Sequence, residues 1–538
     1  MNSEYKPNLD SGYSYYVLSL LLIVYIFNFL DRQIIAILAP EIQKDLGISL
    51  GDLGFLYGTA FAIFYAIMGV PLAKLADSWN RTKLISLGVG LWSLMTAASG
   101  LAKGFVGLAV CRIGVGVGES SASPAAYSLL ADYFSDRIKT TVYSIYASGI
   151  YIGGGIGIFL GGWISDTWNS TYPISELAPF GFAGWQIAFI SVGLPGLIVA
   201  LLVLTIKEPI RGHTEEVEIK KVDKPFKEAG KMLAGIIPIA SMISLYKEDS
   251  DKKEIFLQLG FKGGIFLLIL LMGFLTSDWL QWSAFGLGLY ALLSWIQTVK
   301  IKDAVSYEIV FKSKTMNLIM VAFPLFSFMG YAVSAFLPTY FMETFDVSAT
   351  IAGRNLGLQS AIFGFLGLLF GGVFSDFLRK FYANGRLIVG MISIVLSPLF
   401  LILALHAETL FVFYVHHIIW SFVSTFWVGL CVATATDLAL PRMRGMASAY
   451  FILMASVVGL ALGPYTVGKV ADIFISYGNG TADALSLSMQ TLSIVFLVSF
   501  TLLFIAIRYL PSEEKSKYER ARKPVSYTHL TLPTNTVV

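Results

Sequence analysis

Charge is scarce in this chain. Only 14% of its 538 residues are Asp, Glu, Lys or Arg, against 56% hydrophobic content, and that balance excludes a water-soluble globular domain. Cysteine is nearly absent: Cys111 and Cys431 sit far apart inside apolar runs, so neither a disulfide framework nor a metal-ligand spacing exists. Five histidines and no convergent nucleophile argue against an enzyme, and no cofactor or metal is expected. There is no GxxxxGK[ST] phosphate loop, which argues against an ATP-driven pump. Gly114, Gly116 and Gly118 form a GxGxG pattern, but without a surrounding βαβ unit they read as close helix-packing positions. The net charge of +3 is small, and its cations cluster between apolar runs, so no nucleic-acid partner is implied. The start, MNSEYKPNLDSGYSYY, lacks the basic, apolar and small-residue pattern of a removable signal peptide.

What is abundant is apolar sequence in runs of membrane-spanning length, about 20 residues each. Twelve candidate spans lie near 14–38, 53–75, 84–102, 105–130, 141–165, 185–206, 316–340, 353–375, 387–405, 409–433, 446–469 and 488–508. The reading is an all-α polytopic membrane protein. Its parts are an N-terminal segment (1–13), a six-helix bundle (14–206), a connector (207–315), a second six-helix bundle (316–508) and a basic tail (509–524). Within the connector an apolar block near 261–296 predicts either two further spans, fourteen in all, or a re-entrant hairpin. Lys and Arg concentrate after the second, fourth, eighth and tenth spans, which predicts two cytoplasmic termini. The last stretch, VSYTHLTLPTNTVV (525–538), resembles a translated sequencing-library adapter, so a non-native tail is expected there.

The chain also matches itself. At a shift of 299, Ser49, Gly54 and Gly58 meet Ser348, Gly353 and Gly357, the triplet from Ala62 to Phe64 meets Ala361 to Phe363, Asp77 meets Asp376, and Arg81 meets Lys380. At a shift of 305, Asp132, Arg137 and Lys139 meet Asp437, Arg442 and Arg444. Parallel halves of six spans describe a secondary transporter whose central site opens alternately to two sides.

On these residues a family can be named. GVPLAKLADSWNRTK resembles the loop motif after the second helix of the major facilitator superfamily, with a second copy in GGVFSDFLRKFYANGR, and GIYIGGGIGIFLGG resembles its glycine-rich fifth helix. GVGESSASPAAYSLLADYF and KEPIRG are most similar to spinster-type members, whose eukaryotic relatives are associated with lysolipid and sphingoid-phosphate transport. Anion:cation symporters for sugar acids share several of these features. The resemblance implies two six-helix bundles, a gating role for Asp77, Arg81, Asp132, Arg137, Asp376, Asp437 and Arg442 at the cytoplasmic helix ends, and a monomer in a bacterial inner membrane.

Intramembrane charges are costly and mark function or pairing. Asp31, Arg32, Arg112 and Glu119 lie inside apolar spans, and the repeat does not copy them: Asp31 maps onto Gly330, Arg112 onto His417 and Glu119 onto Ser424. Arg112 and Glu119 are seven residues apart on one helix, hence on nearly the same face. Asp31 and Arg32, about 100° apart, cannot both point straight inward. The resemblance places the first and fourth helices beside a shared cavity. Asp31 and Glu119 are therefore the expected proton-coupling acids, and Arg32 and Arg112 the expected ligands of an anionic headgroup or carboxylate. Asn28, His417 and Trp420 are further candidate substrate contacts. Sodium coupling, internal ion pairs that only fix packing, and a non-transporting sensor remain alternatives.

Overall fold

Lipid offers backbone N–H and C=O groups no partners, so a chain this apolar satisfies them within helices. The computed structural model describes residues 5–135, 137–211, 223–238, 241 and 252–522. The 525–538 tail expected to be non-native lies outside the described residues. Fifteen principal helices follow in order: α1 (Gly12–Leu46), α2 (Leu50–Ser78), α3 (Arg81–Ser99), α4 (Phe105–Tyr133), α5 (Lys139–Thr171), α6 (Gly184–Val203), α7 (Pro225–Ile236), α8 (Lys252–Thr276), α9 (Trp279–Lys302), α10 (Lys314–Phe345), α11 (Ala349–Arg379), α12 (Gly385–Leu405), α13 (Leu410–Leu438), α14 (Arg444–Ser476) and α15 (Thr481–Ala521). Thirteen of them are long and apolar enough to cross a membrane. The less apolar α3 packs between α4 and α6, completing the six helices of the first half. The protein is an integral, multi-pass, all-helical membrane protein.

Local sequence sets the helix ends. Ser49, Asn80, Ser313, Ser348 and Thr409 each accept a first-turn amide with the side chain, the usual N-cap chemistry. Gly47 ends α1 and Asp346 ends α10, both in the left-handed region at φ 62° and 48°. These turns sit at equivalent places in the two halves, although only one has glycine's freedom. Wide turns interrupt α2 at Phe55–Thr59 and α14 at Ala455–Leu460, and α4 is broken at Ser120 and Ser121. Each irregularity lies close to the centre of the molecule, where wide turns often accompany function.

The halves meet along two seams, α2 against α14 and α5 against α11, and the closest approaches lie toward the end of the bundle remote from the termini, called here the far end. Glycine makes them possible. A Cβ at Gly54 would stand 2.4 Å from the Pro464 carbonyl oxygen, and one at Gly162 would stand 2.3 Å from that of Ala349.

The connector and the tail take defined form. The connector's apolar block forms the antiparallel pair α8 and α9, both of spanning length. Its tip reaches far along α14, where the Asp278 carboxylate meets Lys469 Nζ at 2.7 Å and accepts from the Tyr465 hydroxyl at 2.6 Å. The basic tail expected at 509–524 is, as far as it is described, a continuation of α15 that packs on the second half. Glu513 accepts from the Lys314 and Thr315 amides at the start of α10, because those first-turn amides have no partner within their own helix.

If α8 and α9 cross the bilayer, the exposed Ser277 between them faces the side opposite the termini. Ser277→Cys, with Cys111 and Cys431 replaced by Ser and Ala, should react in intact cells with a membrane-impermeant maleimide. Labelling only after the cells are opened would mean that the pair does not cross.

Candidate functional site

A narrow cleft lies between the halves, lined by Phe29, Arg32, Gln33, Tyr57, Phe61, Arg112, Tyr331 and Leu460. Arg32 and Tyr331 occupy equivalent repeat positions on α1 and α10. Tyr57 and Leu460 come from the two wide turns, which present residues a regular helix would carry elsewhere.

The choice left open between Asp31 and Arg32 is resolved in favour of Arg32, which lines the cleft while Asp31 is fully buried. Its Nε donates to Glu119 Oε2 at 2.6 Å. The guanidinium also lies over the rings of Phe29, Phe61 and Tyr65, 4.6 to 4.9 Å from their centroids, a geometry that favours a cation. Arg112 lines the same cleft, yet among the described residues no carboxylate holds it in an ion pair. Its Nε donates to the Leu56 carbonyl at 3.2 Å and its Nη1 to the backbone carbonyl of Asp31 at 3.1 Å, so it ties α4 to both α1 and α2.

The acids stand behind the bases. Both Asp31 carboxyl oxygens and Glu119 Oε1 are buried without a hydrogen-bond partner, as are Asn28 Oδ1 and Thr96 Oγ1 nearby in the same half. An ionised carboxylate in that setting is costly, and a bound proton removes the cost. The expected opposition of two acids and two bases is therefore present as one direct ion pair, one carbonyl-bound Arg and one unpartnered acid.

The second half contributes differently from expectation. His417 is buried, with Nδ1 2.7 Å from Gln359 Oε1 and its ring stacked between Phe413 and Trp420. It packs α13 onto α11 and does not line the cleft. Trp420 lines a separate, mainly apolar cavity with Phe326, Met329, Val333 and Leu401. Asn28 is buried and does not line the cleft either. Gln33 and Tyr57 escaped sequence reasoning. Gln33 Oε1 accepts from the Tyr57 hydroxyl at 3.1 Å and from Ser334 Oγ, across the halves, at 3.2 Å. The available signal was a polar Gln beside two charges in an apolar span.

Of the expected gating residues, Arg81 is fully buried and donates to Asp132 at 2.6 Å, Glu208 at 2.7 Å and Ser128 Oγ at 2.8 Å. Asp77 and Arg137 are exposed. Asp437 gathers Arg379 and Arg386, and Arg386 also stands 3.8 Å from the exposed Asp376. Arg442 faces Asp303, between α9 and α10, at 3.8 Å. The Arg81 and Asp437 pairs each lie within one half, so they brace each bundle separately rather than joining the two. The repeat alignment of Arg81 with Lys380 also shifts in space. The loop of the second half is longer, and Arg386, near the start of α12, takes the bracing position that Arg81 holds at the start of α3.

Comparison with known proteins gives a consistent picture. Residues 21–464 match the family model described as Major Facilitator Superfamily. The chain is 24% identical to an MFS-type efflux pump of Mycolicibacterium smegmatis over 83% of its own length and 81% of that protein. It is 30% identical to protein spinster homolog 1 of Bos taurus, over 38% of this chain and 37% of that one; the matched part is thus well under half of that relative. Among solved structures, a bacterial homolog to the human lysosomal transporter Spinster, in an inward-facing and unoccupied conformation, superposes with a TM-score of 0.65 at 22% identity. That match covers 96% of this chain and 100% of the other.

The Arg32–Glu119 pair generates a stability test. Arg32→Met strands a buried carboxylate and should cost about 3 kcal/mol, whereas Arg32→Met with Glu119→Met should recover most of that loss. Thermal unfolding of the purified variants in detergent measures both. A double variant less stable than either single one would show that the groups are not energetically coupled.

Proposed function

Because the chain belongs to the major facilitator superfamily, and is a transporter rather than an enzyme, we propose that it is a proton-coupled carrier of an organic anion working by alternating access. The observation that carries this reading is the layering of the site. Two permanently charged guanidinium groups line one aromatic cleft between the halves, and two carboxyl groups with unpartnered oxygens stand behind them.

In the proposed cycle, Glu119 in its ionised form holds Arg32. Protonation removes the ionic part of that attraction, and Arg32 can turn its fork to a carboxylate or phosphate in the cleft. Asp31 takes a proton whenever its surroundings are dry, because its carboxyl is fully buried and held by no ion pair among the described residues, with the neutral Thr96 hydroxyl beside it. With both acids protonated the two guanidinium groups leave the site at +2, which a dianionic headgroup cancels and a monoanion halves, so anion binding lowers the cost of burying the site during switching. Loss of the protons restores the Arg32–Glu119 pair and expels the anion. Phe29, Tyr57, Phe61, Tyr331 and Leu460 give the anion an apolar flank, so the substrate class is an amphipathic lysolipid or sphingoid-phosphate-like anion, or a small carboxylate. Arg81 with Asp132 and Glu208, and Arg379 and Arg386 with Asp437, keep the terminal end of each bundle rigid as the halves rock. The protein acts as a monomer in a bacterial inner membrane, with both termini cytoplasmic.

Reconstitution in liposomes, with a panel of lysolipids and small organic acids, tests the proposal. A proton gradient should drive accumulation of at least one anion. Asp31→Asn and Glu119→Gln should abolish that uphill uptake while leaving exchange of substrate across the membrane. Full pH-driven accumulation in both variants, or drive by a sodium gradient instead, would overturn the coupling assignment. Arg112→Lys should weaken binding about tenfold, since Lys cannot reproduce a fixed planar fork; unchanged affinity would remove Arg112 from the substrate site.

A further inference from the structure

The far end carries a pair of contacts that the central site does not explain. On α14, Asp472 Oδ1 accepts from the Leu50 amide at 2.9 Å and Oδ2 from the Gly51 amide at 2.8 Å. On α5, Asp166 Oδ2 accepts from the Thr350 amide at 2.6 Å. Each bond joins a carboxylate of one half to the first turn of a helix in the other. The pair is reciprocal: Gly51 and Thr350 are 299 positions apart, the spacing that superposes α2 on α11, and Asp166 and Asp472 occupy matching places on α5 and α14.

The local sequence explains why these carboxylates reach. Both belong to a Gly-x-x-x-Asp stretch, GWISD from Gly162 and GKVAD from Gly468. Positions four apart share a helix face. At the glycine the other half's backbone comes so close that a Cβ would stand 2.3 Å from the Ala349 carbonyl oxygen, or 2.2 Å from that of Leu50. One turn further on, the Asp oxygens arrive at the opposite helix start. The amides there are only partly used: Ser49 Oγ takes the Asp52 amide and Ser348 Oγ takes the Ile351 amide, which leaves the first and second amides of each helix available. Orphan amides together with the positive end of a helix dipole favour a carboxylate.

We propose that Asp166 and Asp472 are the carboxylates that hold the far gate shut, two matched clasps that both must release when the carrier opens at that end. They are positioning residues for the transport cycle and touch no substrate. The assignment rests on the carrier reading above, but its test reads conformation directly and needs neither substrate nor proton gradient. The clasps are not equally supported. Beside Asp472, Lys469 is held by Asp278 at the tip between α8 and α9, whereas Asp166 has no such neighbour among the described ion pairs.

The experiment is a distance measurement between spin labels on the full-length protein in nanodiscs. Lys103→Cys and Glu408→Cys, exposed in far-end loops of opposite halves, carry the labels after Cys111 and Cys431 are replaced by Ser and Ala. Asp166→Asn with Asp472→Asn should raise the population with a long far-end distance about tenfold, since neutral amides lose the charge-assisted bonds. Asp52→Asn, which alters the capping box at the start of α2 but removes neither clasp carboxylate, should leave the distribution alone. A double variant that is monodisperse and keeps the unaltered distribution would overturn the proposal, and so would an equal shift in Asp52→Asn. If the double variant does not fold, the single Asn variants decide: Asp166→Asn should give the larger gain, and no gain in either would reject the clasps.

Discussion

A guanidinium keeps its charge at any pH a cell meets, so a protein that buries one in an apolar bundle must supply its partners permanently. Arg32 and Arg112 impose that constraint here, and much of the central architecture follows from it. Three aromatic faces and Glu119 surround Arg32. For Arg112, the backbone carbonyls of Asp31 and Leu56 take the role, and Leu56 lies in the wide turn Phe55–Thr59 of α2. The two arginines are thus satisfied by different means: one by a group that can accept a proton, the other by groups that cannot. That difference makes the site asymmetric in its response to acid even though both cations line a single cleft.

Symmetry governs the scaffold and fails at the site. Glycines on α5 and α14 bring the halves into backbone contact at matching places, and helix ends at Gly47 and Asp346 turn in the same way. The interior departs from this pattern. Arg32 faces the cleft in one half and Tyr331 in the other, while the position of Arg112 is taken by a packed histidine. Both arginines and the rings of Phe29, Tyr57 and Phe61 come from the first half, and Tyr331 and Leu460 from the second, so the cleft has one cationic, ring-lined wall and one uncharged wall.

The fold was legible because membrane spans, turn residues and an internal repeat are written in composition and spacing. The four charged residues were legible because lipid makes them expensive wherever they occur. Orientation was not. Adjacent residues on a helix point about 100° apart, so sequence alone left open whether Asp31 or Arg32 faces inward. Arg112 was read as an anion ligand, and its ties to the backbone carbonyls of Asp31 and Leu56 were out of reach, since carbonyl partners leave no trace in residue type. His417 drew attention as a titratable group at an arginine position, yet its neighbours Phe413, Trp420 and Gln359 make it part of the packing. Lys380 aligned with Arg81 by counting, but a longer loop moves the bracing role to Arg386.

The α8–α9 pair breaks the likeness of the two flanks. It lies along the α2–α14 seam, where Gly288 of α9 sits against both Ile63 and Val457, and so covers that side of the molecule. The α5–α11 seam has no equivalent cover among the described helices. If the pair crosses the bilayer, the two flanks of an otherwise repeated scaffold meet lipid differently, one through an added helical hairpin and the other directly along the closely packed glycines of α5 and α11.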